Sequence, residues 1–206
     1  MKHPSTRAVF DYWNEKRGIR PAPERGDIDP AAIRHALGDT FMLAADFVDQ
    51  LRFRLAGTRV CALFCREIKG EEFHALWSET SRKQVDDLLT VLNDEVVGAV
   101  AGVTGLAADG ATVDLEFLVL PLAHVGHARV RALGVLTPLV APYWLGEKPI
   151  AALELGAVRH IGAETEATTA PDFPRAVEAV RLRHGFVVYS GGLEEPFRQA
   201  HRLTDH

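Results

Sequence analysis

The stretch from Ser78 to Thr137 constrains the fold more than any other part of the chain. It reads as one long amphipathic helix followed by three consecutive strands. From Ser78 to Val96, the residues Val85, Leu88, Leu89, Leu92 and Val96 recur on one helical stripe. Arg82, Lys83, Asp86 and Asp87 lie outside that stripe. Strand-like runs follow at Val100 to Ala107, Val113 to Leu122 and Ala128 to Thr137. Asp109-Gly110 joins the first two, and this dipeptide suits a tight hairpin because glycine tolerates positive φ. His124 to His127 joins the last two. Successive hairpins make an antiparallel meander, and the apolar stripe of the helix must lie on it. The expected class is therefore α+β, with helices segregated on one face.

Upstream, the spacing predicts a first helix in which Val9, Phe10 and Trp13 form a short apolar stripe, with Ser5 as its N-cap and Gly18 as its stop. Asp29 and Pro30 open a second short helix that turns Ile33 and Leu37 inward and ends at Gly38. Phe41 to Asp46 and Leu51 to Ala56 read as two strands joined by a short turn around Asp49 and Gln50. In the second strand, Leu51, Phe53 and Leu55 alternate with Arg52 and Arg54, which predicts an inward face for the three apolar residues. Thr58 is expected to cap a helix through Phe64, and Glu72 to Trp77 forms another short helix. Ile150 to Ile161 reads as a further strand, Arg175 to Arg183 as a short helix, and Phe186 to Tyr189 as a strand before the Gly191-Gly192 turn.

Composition narrows the functional class. A hydrophobic fraction of 47% and a charged fraction of 25% are those of an ordinary globular chain, with ample apolar residues for a core. Net charge is −5, and the densest basic run, Arg181 to His184, is too short to form a nucleic-acid face. Neither a signal-peptide pattern nor a membrane-spanning apolar run is evident, so a cytoplasmic location is expected. The two cysteines, Cys61 and Cys65, sit four residues apart, a spacing that disfavours a disulfide and suits reduced thiols.

Several segments together resemble a known family. The run Phe53 to Arg59, then Leu63-Phe64-Cys65-Arg66-Glu67-Ile68-Lys69-Gly70, then Phe73 and Leu76-Trp77, resembles the strand-to-helix entry of PAS domains. Phe10-Asp11-Tyr12-Trp13, Pro21 to Arg25 and Leu118 to Leu122 resemble segments of stand-alone bacterial PAS proteins, and the resemblance extends over residues 3 to 146. It implies a PAS-like five-stranded antiparallel sheet with helices on one face, preceded by an N-terminal helical cap. The corresponding segments are an extension at 1–39, a PAS core at 40–146 and a C-terminal extension at 147–206. PAS domains commonly enclose a small cavity or act as docking and dimerisation surfaces in signalling.

That implication nominates a ligand site. Phe53, Leu55, Phe117 and Val119 would face inward from the sheet, and Phe64, Phe73, Trp77, Leu88 and Leu92 would close the space from the helices. The same residues equally describe a packed core. No cofactor is fixed. Flavin is disfavoured: Cys65-Arg66-Glu67-Ile68-Lys69-Gly70 resembles the segment bearing the flavin-reactive cysteine, but Phe64 and Lys69 replace amide residues and no amide lies on the three later strands. Haem is disfavoured because the long helix lacks histidine, leaving only His74 nearby. His124 and His127 have no evident third metal ligand.

Asp114 and Glu116 share one strand face, but no second catalytic group accompanies them. They read as an exposed or ion-paired face, with Arg131 on the neighbouring strand as a partner. Val9, Phe10 and Trp13 form a candidate interface, available to a second subunit or to the chain's own sheet. Leu118 and Leu120 make the late part of their strand apolar on both faces, so a cover is required there, and the N-terminal helix is the segment expected to supply it. The reading is a non-enzymatic regulatory module in bacterial signalling. It would sense a small apolar or amphipathic ligand, control association with a signalling partner or a second copy, or do both. The alternative is a ligand-free adaptor or dimerisation module.

Overall fold

Three antiparallel strands form the expected meander: β3 (Gly98–Ala107), β4 (Thr112–Pro121) and β5 (Arg131–Pro138). Ahead of them, β1 (Thr40–Ala45) pairs with β2 (Leu51–Ala56) and with β5. A sixth strand, β6 (Ile150–Ile161), pairs with β3, so the sheet runs β2-β1-β5-β4-β3-β6. The structure is a computed structural model that describes residues 1–45, 50–123 and 131–161. The expected features at Asp49, at the His124–His127 turn and at 175–192 lie outside the described residues. The α+β class and the antiparallel sheet are as expected, with β6 added beside β3.

The helices divide between the two faces. α2 (Thr58–Leu63) and α3 (Glu79–Asp94), with a short turn of 3-10 helix at Phe73–Leu76, lie on the inner face. α1 (Pro4–Arg17) and the 3-10 turn Pro30–Ile33 cover the outer face. The outer cluster joins Val9, Tyr12, Trp13 and Ile33 to Leu118, Leu120, Leu133 and Val135. β4 is buried without interruption from Leu115 to Pro121 because its late residues have a hydrophobic layer on each side. Asp109-Gly110 makes the predicted turn, with Gly110 at φ 87° and Asp109 Oδ1 accepting the Ala111 N–H at 3.1 Å.

Local geometry departs from the expected pattern at four places. Ser5 lies inside α1 because Pro4 already occupies its first turn; the cap is His3, whose Nδ1 accepts the Ser5 N–H at 3.2 Å. Gly57, not Thr58, precedes α2, and a Cβ there would stand 2.1 Å from the Leu37 carbonyl oxygen. Val96 leaves the α3 stripe with a positive φ of 54° and packs against the outer cluster. Leu55 does not face inward. A bulge between Met42 and Leu43 sets Leu55 opposite Met42 while Phe53 stays opposite Leu43, so the alternation shifts around Arg54 and leaves Leu55 40% exposed.

Candidate functional site

The inner face is filled by aromatic rings from several elements. Phe41 on β1 contacts Phe53 on β2, Phe73 and Phe117 on β4, with centroids 5.6, 6.3 and 5.9 Å apart. Phe73 also meets Phe53, Trp77 and Phe117, and Trp77 stands edge-on to Phe117 at 5.6 Å. These separations and tilts are those of favourable aromatic pairs. Phe41 lies flat across β5 at Gly134, where a Cβ would come within 2.1 Å of its ring. Phe64, Leu88, Leu92 and Val119 are buried in the same cluster. Of the residues nominated for a ligand site, all except Leu55 therefore belong to one contiguous hydrophobic cluster. Phe41, at its centre, was not nominated, because an apolar strand run does not reveal which of its members meets the other rings.

One polar atom in this layer lacks a partner. Trp77 is 1% exposed, and its Nε1–H has no acceptor among the described residues. Of the residues weighed for cofactors, His74 borders this layer, its ring edge-on to Phe73 at 5.9 Å. Cys65 is exposed at the end of α2. Burial, with Glu67 beside it, pushes the Cys61 thiol up. His74 turns towards α3, with Nε2 2.6 Å from Asp86 Oδ1.

On the outer face, two buried carboxylates fasten α1. Glu116 is 5% exposed, and its oxygens accept the backbone N–H groups of Lys2 at 2.6 Å and His3 at 2.8 Å. Burial opposes its charge. The two N–H groups, the nearby Thr6 hydroxyl and the chain's amino terminus outweigh that penalty and hold the carboxyl below its ordinary range. Asp39 accepts the Ser5 hydroxyl at 2.6 Å and a forked contact from Arg59 at 2.6 and 2.8 Å. Burial again opposes the charge, and Arg59 and Ser5 together hold Asp39 low. Glu116 lies opposite Thr137, whereas Arg131 lies opposite Ala44, so the expected pairing with Arg131 does not form. Asp114 is exposed.

The interface residues have a place within the molecule. Val9 and Trp13 are buried in the outer cluster, Phe10 is half-buried beside it, and Trp13 Nε1 donates to the Pro121 carbonyl at 2.8 Å. A sequence reading finds the apolar stripe but not its polar anchors. The available signal for Glu116 was a lone carboxylate within an otherwise apolar run, Leu115 to Leu120.

No curated protein matches the chain. Among solved structures, the PAS domain of a protein from Colwellia psychrerythraea is 14% identical, with a TM-score of 0.39, covering 53% of this chain and 97% of that one. An RNA-binding light-oxygen-voltage receptor is also 14% identical, with a TM-score of 0.40, covering 61% of this chain and 36% of that one. Among the described residues, no helix is long and apolar enough to cross a membrane. A family model described as a PAS domain matches residues 1–137, a span that includes α1, the first four strands and all but the last residue of β5. The chain therefore belongs to the PAS-domain family, whose members are generally sensory or signalling modules.

Proposed function

We propose that this chain is a regulatory PAS module that acts through association with another protein, its inner face serving as a packed core. The observation that carries this reading is the contact network of Phe41, Phe53, Phe73, Trp77 and Phe117, which occupies the space between sheet and helices. Interlocked rings of this kind resist opening, since each lost contact removes dispersion energy. The regulatory output then leaves through the surface. The partner is a signalling protein or a second copy of this chain, and the setting is the bacterial cytoplasm.

Light scattering across a range of concentrations, followed by crosslinking with mass-spectrometric mapping in the native host, tests this reading. Concentration-dependent self-association, or reproducible crosslinks to one protein, supports it. A monomer at all concentrations without any reproducible crosslink contradicts it.

A second reading is that the module senses a small ligand between sheet and helices. The orphaned Trp77 N–H favours it, because a buried donor without an acceptor is costly and a ligand oxygen would satisfy it. Extraction of a stoichiometric small molecule from denatured protein, with its binding weakened in Trp77→Phe, would favour sensing over association alone.

A further inference from the structure

The outer face carries a cleft of about 380 Å³ whose described lining contains none of the inner-face aromatic rings. It lies beside the start of α1, over β3, β4 and β6. Its walls include Lys2, Val100, Gly102, Glu116, Leu139 and Arg159. The space exists for local reasons. β3 and β6 change register between Ala101 and Val103, and Gly102 sits at that irregularity. A Cβ at Gly102 would meet nothing within 4 Å, so the missing side chain leaves open volume over the sheet.

The charges in the cleft favour one ligand chemistry. Lys2 and Arg159 are exposed, and neither makes an ion pair among the described residues. Among the described residues, Glu116 is the only carboxylate in the lining, and its oxygens already accept the N–H groups at the start of α1. The cleft therefore gathers the side chains of Lys2 and Arg159 and the amino terminus at Met1 around one carboxylate, and positive groups outnumber negative ones in its described lining. Val100, Gly102, Leu139 and Ala157 add an apolar or bare-backbone wall. A small site that combines an apolar wall with a few cationic anchors suits a ligand with one acidic head and a short apolar body.

We propose that this outer-face cleft binds an amphipathic monocarboxylate, its head held by Arg159 and Lys2 and its apolar body lying over Gly102 against Val100 and Leu139. This site is separate from the aromatic layer and does not depend on the association reading. The anchors are solvent-exposed, so binding is weak and salt-sensitive.

Octanoate is the probe. A titration followed by amide NMR should give saturable shifts centred on Gly102, Ala157 and Arg159. Octyltrimethylammonium, of opposite charge, should bind at least about tenfold more weakly. Gly102→Leu should abolish the octanoate shifts while leaving a folded spectrum, because the added side chain enters open space. Arg159→Glu should weaken binding about tenfold or more, and raised salt should weaken it in the parent protein. The proposal is overturned if octanoate gives no saturable shift at these amides at millimolar concentration. It is equally overturned if both probes bind alike, or if folded Gly102→Leu binds octanoate as the parent does.

Discussion

The two faces of the sheet are held by different physics. The inner face is closed by rings that meet one another from β1, β2, β4 and the segment around Phe73, with no ion pair inside the layer among the described residues. The outer face is closed by α1 and the segment around Ile33, and its apolar contacts are supplemented by directional ones: Glu116 to the backbone of Lys2 and His3, Asp39 to Ser5 and Arg59, and Trp13 to the Pro121 carbonyl. Hydrophobic contact alone does not set the position of a helix along a sheet. Buried carboxylates that accept specific donors do, because a shift of one residue would strand a charge out of water. The comparison teaches that the inner layer supplies bulk stability and the outer layer supplies placement of α1.

Truncating the inner layer should have the largest effect. Phe73→Ala removes a ring that touches five ring neighbours and should cost about 3–5 kcal/mol in denaturant unfolding. A loss below about 1 kcal/mol would show that the layer is loosely packed and would break the comparison.

Glu116→Gln comes next, at about 1–3 kcal/mol, because an amide cannot accept both N–H groups as the carboxylate does. This variant also tests pH dependence. Glu116 and Asp39 are both held below their ordinary values in the folded state. Between the folded and unfolded values, the unfolded chain binds more protons. Their contribution is therefore complete above roughly pH 4 to 5 and is lost as pH falls through the folded values. Stability of the parent should drop on acidification through this window, and Glu116→Gln should show a shallower drop. Equal slopes would remove the carboxylate from the account of α1.

Trp13→Phe keeps most of the apolar contact but loses the bond to Pro121, and should cost about 0.5–1.5 kcal/mol in thermal or denaturant unfolding. The smallest effect belongs to Leu55→Ser, which should stay within about 0.5 kcal/mol because the bulge leaves Leu55 partly in solvent. A loss of several kcal/mol at Leu55 would restore an inward orientation and contradict the register of β1 and β2.

Much of this division was legible in the sequence. The α3 stripe from Val85 to Leu92, the Asp109-Gly110 turn and the doubly apolar end of β4 each encode local structure and burial in neighbouring residues, and each is realised, while Val96 falls beyond the helix. A strict period of two turns Leu55 inward because it cannot register a bulge, and here Arg54 is the extra residue of β2 between Leu55, opposite Met42, and Phe53, opposite Leu43. Sequence spacing points to an exposed or ion-paired face for Glu116, because its actual partners, the N–H groups of Lys2 and His3, lie more than a hundred residues away and are backbone atoms. Backbone donors carry no residue signature, so spacing alone could not nominate them. The cleft was invisible for a related reason, since it arises from an absent side chain at Gly102 and a register change between β3 and β6.

The most direct test of the packed inner face is native mass spectrometry of the parent protein and of Gly102→Leu, each repeated after denaturation. The account predicts the mass of the chain alone, 22.6 kDa for the parent, or whole multiples of it. A stoichiometric excess that vanishes on denaturation and persists in Gly102→Leu would place a ligand among the inner rings and contradict it.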